Sequence, residues 1–225
     1  MKKFALIVAG GGGKRMNSTI PKQFLELKGL PVLMHTIDVF KRYDPQTEIL
    51  LVLPQSQILL WNSLCEKYNF NINCKVALGG ETRFQSVKNG LGLIIENGIV
   101  FIHDGVRPLV SFKTIQNCFE VALEKGNALP VVPVSESVRW VENKKSHELD
   151  RTGIMLVQTP QTFQTVLIKA AYEKIGSDKF TDDASVLEQM GETINIVEGN
   201  RENVKITYPE DLIFAEALLT KRIKE

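Results

Sequence analysis

Between residues 9 and 23 the chain reads AGGGGKRMNSTIPKQ, four glycines set directly against Lys14 and Arg15, with Lys22 a short way on. Glycine backbone can adopt positive φ and bring its N–H groups close to a ligand, and the neighbouring cations supply the charge an anion needs. Gly10, Gly11, Gly12, Gly13 and Lys14 are therefore candidates for cradling phosphate. The stretch is not a Walker A loop, because Arg15 follows Gly13-Lys14 where a magnesium-holding Ser or Thr is required. It is not a dinucleotide fingerprint either, since Arg15 stands where a third glycine should let helix pack on strand. A flexible surface turn is the competing reading of the glycines taken alone.

Further polar clusters fall where strands are expected to end, the place where open parallel sheets bind ligands. They are Gly79-Gly80-Glu81-Thr82-Arg83-Phe84-Gln85-Ser86, His103-Asp104-Gly105-Val106-Arg107-Pro108, Gln158-Thr159-Pro160-Gln161, Thr181-Asp182-Asp183, and Lys205 in an expected strand. Singly each has a plain explanation: Asp104 as a cap, Arg107 and Lys205 as solvated charges. His103 reads as a packed or hydrogen-bonded residue, because no carboxylate or second histidine stands at metal-ligand spacing. Together they suit phosphoryl chemistry. An acid at a strand end can hold Mg²⁺ on phosphates, and converging cations can neutralise charge developing at phosphorus.

The elements that would position these groups alternate. Residues 4–9 and 48–53 are uninterrupted apolar runs, as expected of parallel strands covered on both faces. Helices are predicted over 31–43, 55–68 and 111–125, and one beginning at Thr82 with Val87, Leu91, Ile94 and Ile95 on its apolar face. Further strands are predicted over 74–78, 99–102 and 128–132. This rhythm predicts an α/β fold with a Rossmann-like, doubly wound, mostly parallel sheet. It breaks over residues 133–158, where Val134, Val138, Trp140 and Val141, then Asn143-Lys144-Lys145, then Ile154, Leu156 and Val157, resemble two strands joined by a charged turn. Such a hairpin has too few apolar residues for a core of its own, so it should project as an arm and pack on another surface, a partner subunit first. Helices over 165–175 and 182–190, strands over 193–197 and 203–207, and a last helix opened by Pro209 with Glu210 and Asp211 complete the expectation.

With 225 residues and 44% hydrophobic content the chain can bury a full core, and residues 1–225 are read as a single domain carrying the arm. Lys and Arg number 27 against 26 acidic residues, so no overall field recruits nucleic acid or an anionic membrane. Three scattered cysteines, Cys65, Cys74 and Cys118, without Cys-x-x-Cys spacing, are expected to be reduced, buried and structural in a cytoplasmic protein. Lys2 and Lys3 precede an apolar run too short for a secretory or membrane-spanning segment.

The motifs together carry a resemblance. Ala9-Gly-Gly-Gly-Gly-Lys-Arg15-Met16 with Pro21-Lys22-Gln23, Gly80-x-x-Arg83-x-x-Ser86, His103-Asp104-x-x-Arg107-Pro108, Gln158-Thr159-Pro160-Gln161-x-Phe163, Thr181-Asp182-Asp183-Ala184-Ser185, and Glu198-Gly199 with Asn203-Val-Lys205-Ile-Thr207-x-Pro209-Glu210-Asp211-Leu212 resemble the 2-C-methyl-D-erythritol 4-phosphate cytidylyltransferase family from about residue 4 to about residue 219. The resemblance implies a nucleotidyltransferase that moves CMP from CTP to methylerythritol phosphate in non-mevalonate isoprenoid synthesis, with Mg²⁺ or another divalent cation as cofactor. It implies that Arg15 and Lys22 stabilise the pentacoordinate α-phosphorus, with Gly10 to Gly13 and Lys14 near the triphosphate. Gly80, Glu81 and Ser86 would read cytosine. Asp104 and Arg107 would form the acceptor and metal side, while Lys205, Arg151 and Thr181 hold the acceptor. It further implies a homodimer built through the arm, with Arg151 acting on the neighbour's site and Ser137 standing where relatives place an arm threonine. Gly10 departs from the family, which commonly has a second alanine there. Competing readings are ribitol-5-phosphate cytidylyltransferase, which Arg151 before Thr152-Gly153 fits less well; a nucleotide-binding regulatory module without turnover; and an NAD-dependent oxidoreductase.

Overall fold

The computed structural model describes residues 1–11, 14–16, 18–176 and 180–224. Lys2–Val8 forms β1. Two 3₁₀ turns, Lys14–Met16 and Lys22–Phe24, lead to the short pair β2 (Glu26–Leu27) and β3 (Leu30–Pro31). Then helix and strand alternate as α1 (Val32–Tyr43), β4 (Glu48–Leu53), α2 (Ile58–Lys67), β5 (Cys74–Leu78), α3 (Arg83–Leu91), β6 (Gly98–Asp104), α4 (Phe112–Lys125) and β7 (Asn127–Pro133). The rest comprises β8 (Val138–Glu142), β9 (Lys145–Leu149), β10 (Met155–Val157), β11 (Gln161–Gln164), α5 (Thr165–Lys174), α6 (Asp183–Glu188), β12 (Ile196–Glu198) and α7 (Pro209–Lys224).

The main sheet runs in the order β10-β7-β11-β6-β1-β4-β5, with β12 paired on β7. Strands β6, β1, β4 and β5 run parallel to one another, and β11 and β10 run antiparallel to their neighbours. This is the mostly parallel α/β sheet that the alternation predicts. Its strands alternate between two cores. Ile49, Leu51, Ile99 and Phe101 pack under Met34, Ile37 and Phe40 of α1 and Ile115, Cys118 and Ala122 of α4. Leu50, Val52, Val100 and Ile102 pack under Val87 and Leu91 of α3 and Ile168 and Ala171 of α5. Burial on both faces explains the unbroken apolar strands, and each such fully buried side chain contributes roughly 1.5–3 kcal/mol. A third cluster, Met16, Val32, Val106, Leu109 and Ile206, seats α7 beside the loops that leave β1 and β6.

Local chemistry sets the ends of these elements. Thr82 caps α3 by accepting the Gln85 N–H, and Ser111 caps α4 by accepting that of Thr114. Gly126, at φ 90°, closes α4 in the left-handed conformation that glycine allows. Gly90 must lack a side chain, because a Cβ there would lie 2.3 Å from Leu6 Cδ1, so α3 sits hard against the sheet.

Several expectations need correction. The segment expected as a strand over 203–207 forms none; its Ile206 N–H bonds to Val106 O instead, and Lys205 extends from irregular backbone. The expected strand over 193–197 is the shorter β12. The arm's hairpin is β8 against β9, turned at Asn143 and Lys144, both at positive φ. Leu156 and Val157, expected as its return strand, pair with β7 in the main sheet. The predicted helix from Thr82 stops at Leu91, so Ile94 is buried in the loop beyond it and Ile95 is 89% exposed. The region over 55–68 starts as a 3₁₀ turn, Gln55–Gln57, before α2. Cys118 is buried, but Cys65 and Cys74 are only half-buried; all three are free thiols. Among the described residues β8 and β9 pair only with each other, and no helix is long and apolar enough to cross a membrane.

Candidate active site

Strand β1 lies between β4 and β6, so the chain turns away in opposite directions on its two sides, and the crevice at the carboxyl ends of β1 and β6 is the natural ligand position. Register places Val8 beside Asp104, and Gly105 N–H bonds to Val8 O at 2.9 Å. A cleft of about 420 Å³ opens there, within the range of small-molecule sites. Gly10, Gly11, Arg15, Lys22, Gly80, Glu81, Arg83, Ser86, Asp104 and Lys205 line it. A second hollow, sharing Arg83, Asp104 and Lys205 with the first, continues past Arg107, Gln158, Thr159 and Thr181.

Each cation is held by structure around it. Lys22 is 8% exposed and donates to Ile206 O at 2.9 Å. Burial, and then Lys205 and Arg15 nearby, push its ammonium below the ordinary lysine value, against the pull of Asp104. The Arg15 guanidinium lies over the Tyr208 ring, 5.6 Å from its centroid. Arg107 donates to Asp104 Oδ2 at 3.1 Å and to Asn203 O at 2.7 Å, which ties the Asn203–Lys205 backbone to the end of β6. Asp104 itself is buried, which opposes its ionisation. The charges of Lys205, Arg107 and Arg83 outweigh that cost and hold the carboxyl well below the usual carboxylate range.

His103 explains how Asp104 is aimed. Its Nε2 lies 3.0 Å from Arg107 O, which can only accept, so Nε2 carries the proton. Nδ1 then accepts from the Thr159 hydroxyl at 2.9 Å, and that hydroxyl accepts the Asp104 N–H at 3.1 Å. Full burial lowers the imidazole to about 4, so it is neutral at ordinary pH. It is a packed, hydrogen-bonded residue, as its sequence context predicts.

On the opposite wall the Ser86 hydroxyl accepts the Gly80 N–H at 3.0 Å, and Gln85 Oε1 accepts the Glu81 N–H at 2.9 Å. Gly80 has no room for a side chain, since a Cβ would lie 2.4 Å from that of Gln85. At Gly10 a Cβ would meet only Ser86 Oγ at 3.7 Å, an ordinary contact.

Of the expected site residues, Arg15, Lys22, Lys205, Gly10, Gly11, Gly80, Glu81, Ser86, Asp104, Arg107 and Thr181 border these connected hollows. Gly12, Gly13 and the Lys14 side chain lie outside the described residues. Arg151 and Ser137 do not border either hollow: both are exposed at the arm, where Arg151 donates to Ser135 O. Two residues given no role from sequence stand out. Arg83 borders both hollows and forms a two-pronged pair with buried Asp183, at 2.8 and 2.6 Å. Both lie inside motifs legible in the sequence, Gly80-x-x-Arg83-x-x-Ser86 and Thr181-Asp182-Asp183-Ala184-Ser185; their pairing across a hundred residues had no local mark. Among the described residues no three His, Cys, Asp or Glu gather as a metal cage. Among the described residues the carboxylates lining the two hollows are Asp104, Glu81 and Asp182, of which Asp104 is buried between them.

A family model described as IspD, 2-C-methyl-D-erythritol 4-phosphate cytidylyltransferase, matches residues 4–221. A 2-C-methyl-D-erythritol 4-phosphate cytidylyltransferase of Bacteroides thetaiotaomicron is 50% identical over 219 residues, covering 97% of this chain and 100% of its own. That of Bacteroides fragilis is 52% identical with the same coverage. The crystal structure of 4-diphosphocytidyl-2C-methyl-D-erythritol synthase from Anaerococcus prevotii superposes with a TM-score of 0.82 at 30% identity, covering 97% of this chain and 98% of that one.

Proposed function

The chain belongs to the 2-C-methyl-D-erythritol 4-phosphate cytidylyltransferase family, and from that premise we propose how its cleft performs the transfer. The enzyme moves CMP from CTP to 2-C-methyl-D-erythritol 4-phosphate and releases pyrophosphate, a step in making isoprenoid precursors. A phosphate oxygen of the acceptor attacks the α-phosphorus in line while pyrophosphate leaves opposite, so the protein's task is to bring two anions together and to stabilise charge on the oxygens around phosphorus. No covalent nucleophile is needed.

Arg15 and Lys22 face the α-phosphate oxygens, with the Gly10 and Gly11 backbone toward the β- and γ-phosphates. The Gly80, Glu81 and Ser86 wall reads the cytosine edge through backbone groups and the Ser86 hydroxyl. Lys205 and Arg107, with Thr181, receive the acceptor's phosphate and hydroxyls. The observation that carries this reading is that Arg15, Lys22 and Lys205, distant in sequence, border one cleft whose floor is the ionised Asp104.

A divalent cation such as Mg²⁺ would be held by the Asp104 carboxylate, with nucleotide phosphates and water completing its shell, the mode Mg²⁺ commonly uses. When bound it would neutralise charge on the phosphate oxygens it touches. Asp104 is suited to it because the surrounding cations keep it ionised.

The arm serves a homodimer in this proposal. Trp140 and Val141 on β8, and Met155, Leu156 and Val157 on β10, are exposed apolar side chains that a partner subunit would cover. Arg151 then reaches the neighbour's cleft to grip the acceptor, with Ser137 at the root of the same arm. The experiment that tests the function is CTP-dependent pyrophosphate release across a panel of sugar and polyol phosphates. Methylerythritol phosphate should turn over best; preference for ribitol 5-phosphate, or no release with any acceptor, would overturn the reading.

A further inference from the structure

The first residue of α3 and the first residue of α6 meet in the wall of the cleft. Arg83 donates to Asp183 through Nη1 and Nη2 at 2.8 and 2.6 Å, and the Tyr172 hydroxyl from α5 donates to Asp183 Oδ1 at 2.6 Å. Asp183 is fully buried, whereas the Arg83 side chain keeps 27% exposure toward the cleft. Three donors therefore converge on one carboxylate, and two of the five guanidinium N–H groups are committed to it.

The two helices are not equally anchored without this pair. Helix α3 is capped by Thr82, locked to Gly80 through Ser86, and packed on the sheet through Val87, Gly90 and Leu91. Helix α6 has only six residues, packed through Ala184, Val186 and Leu187, and its first N–H groups, of Asp183 and Ala184, are taken by Gln161 Oε1, both at 2.8 Å. Asp182 is spent capping it by accepting the Ser185 N–H. Immediately before α6 lie Thr181 and Asp182, the residues that border the acceptor end of the cleft. The Arg83–Asp183 pair links that segment directly to the nucleotide wall, above the apolar packing of Val186 and Leu187 in the cluster that holds Phe84 and Val87.

We propose that Asp183, steadied by Tyr172, is a positioning residue for the transfer reaction: through Arg83 it clamps the acceptor-binding Thr181–Asp182 segment to the nucleotide-binding α3. This deepens, and rests on, the cytidylyltransferase reading. Burial of the carboxylate is costly unless it is paired, so loss of its charge leaves Arg83 unpaired in the wall and α6 held by Gln161, its Asp182 cap and the packing of Ala184, Val186 and Leu187, without the ion pair to α3. The acceptor end should loosen while the better-anchored nucleotide end stays. Tyr172 offers a gentler perturbation, because its ring stacks on Phe84 with centroids 4.5 Å apart and Tyr172→Phe removes only the hydroxyl.

The test is steady-state kinetics of the full-length wild type, Asp183→Asn and Tyr172→Phe, varying methylerythritol phosphate at saturating CTP and then the reverse, well below the unfolding temperature of each protein. Loss of hydrogen bonds to a buried charge should raise the acceptor KM or lower acceptor kcat/KM by about ten- to hundredfold in Asp183→Asn and by severalfold in Tyr172→Phe, with CTP KM changed far less. A lowered unfolding temperature with both KM values and kcat unchanged, or a rise in CTP KM alone, would overturn the proposal. If Asp183→Asn does not fold, the same comparison is decided on Tyr172→Phe. Failure of the underlying reading would look different, since the wild type itself would release no pyrophosphate.

Discussion

The Lys205 ammonium stands 3.1 Å from Asp104 Oδ2, on the same carboxylate oxygen that Arg107 approaches at 3.1 Å. The acid at the cleft floor thus fixes two cations in position without quenching the positive field that a second anion needs. Lys205 remains half-exposed toward the cleft, so its charge can be shared with an incoming phosphate. Lys205→Ala should lower kcat/KM for the acceptor by at least about tenfold with a much smaller effect on CTP KM. Initial-rate measurements check this, and an unchanged acceptor dependence would count against the assignment.

His103 makes stability depend on pH in a window that can be stated. An unfolded histidine titrates near 6.5, while burial holds His103 at about 4 in the fold. The folded value is depressed, so its contribution is fully present above about pH 6.5 and is lost as pH falls toward 4. The unfolded state takes up the proton first, which amounts to roughly 3 kcal/mol across that window. Urea unfolding of the wild type and His103→Gln between pH 7 and 4 should show the slope in the first and its loss in the second. Parallel slopes would show that the histidine is not the source.

Two glycines of the nucleotide wall should respond oppositely to the same change. Gly10→Ala adds a methyl group at ordinary contact distance and should leave CTP KM within about twofold of wild type. Gly80→Ala drives a Cβ into Gln85 and must displace the segment whose N–H groups Ser86 and Gln85 hold, so CTP KM should rise by about tenfold or more. Measuring both variants side by side separates space from chemistry, since the substitution is identical.

Arg151 lies away from the cleft of its own chain, and the proposal that it acts on a neighbour makes a complementation prediction. Arg15→Ala and Arg151→Ala chains, each inactive alone, should regain part of the wild-type rate when unfolded together and refolded, because hybrid dimers contain one intact site. Activity no greater than the sum of the separate variants would place Arg151's role within a single chain.

What the sequence made legible follows physical range. Strands β1, β4 and β6 and helices α1, α3 and α4 declare themselves through local periodicity and caps such as Thr82 and Ser111, and the site residues around them travel with those strand ends. The segment around Lys205 misleads because Val204 and Ile206 alternate as in a strand. Its backbone partners are Val106, the Lys22 ammonium and the Arg107 guanidinium rather than a ladder, which no local pattern records. Leu156 and Val157 mislead for the related reason that the charged turn at Asn143 suggested the nearest apolar run as its return strand, while β7 offered the stronger pairing. Asp183 stood in a motif the sequence showed, but its role did not show there, because that role comes from Arg83 and Tyr172, brought to it only by the fold.

The central claim is that cations from separate parts of the chain stabilise one phosphorus during its substitution. Its most direct test is the single-turnover rate at saturating CTP and acceptor for Arg15→Ala and Lys22→Ala. Each should be slower by roughly two to three orders of magnitude, the cost of losing a transition-state donor, with CTP affinity far less affected. Near-normal single-turnover rates in either variant would contradict the account.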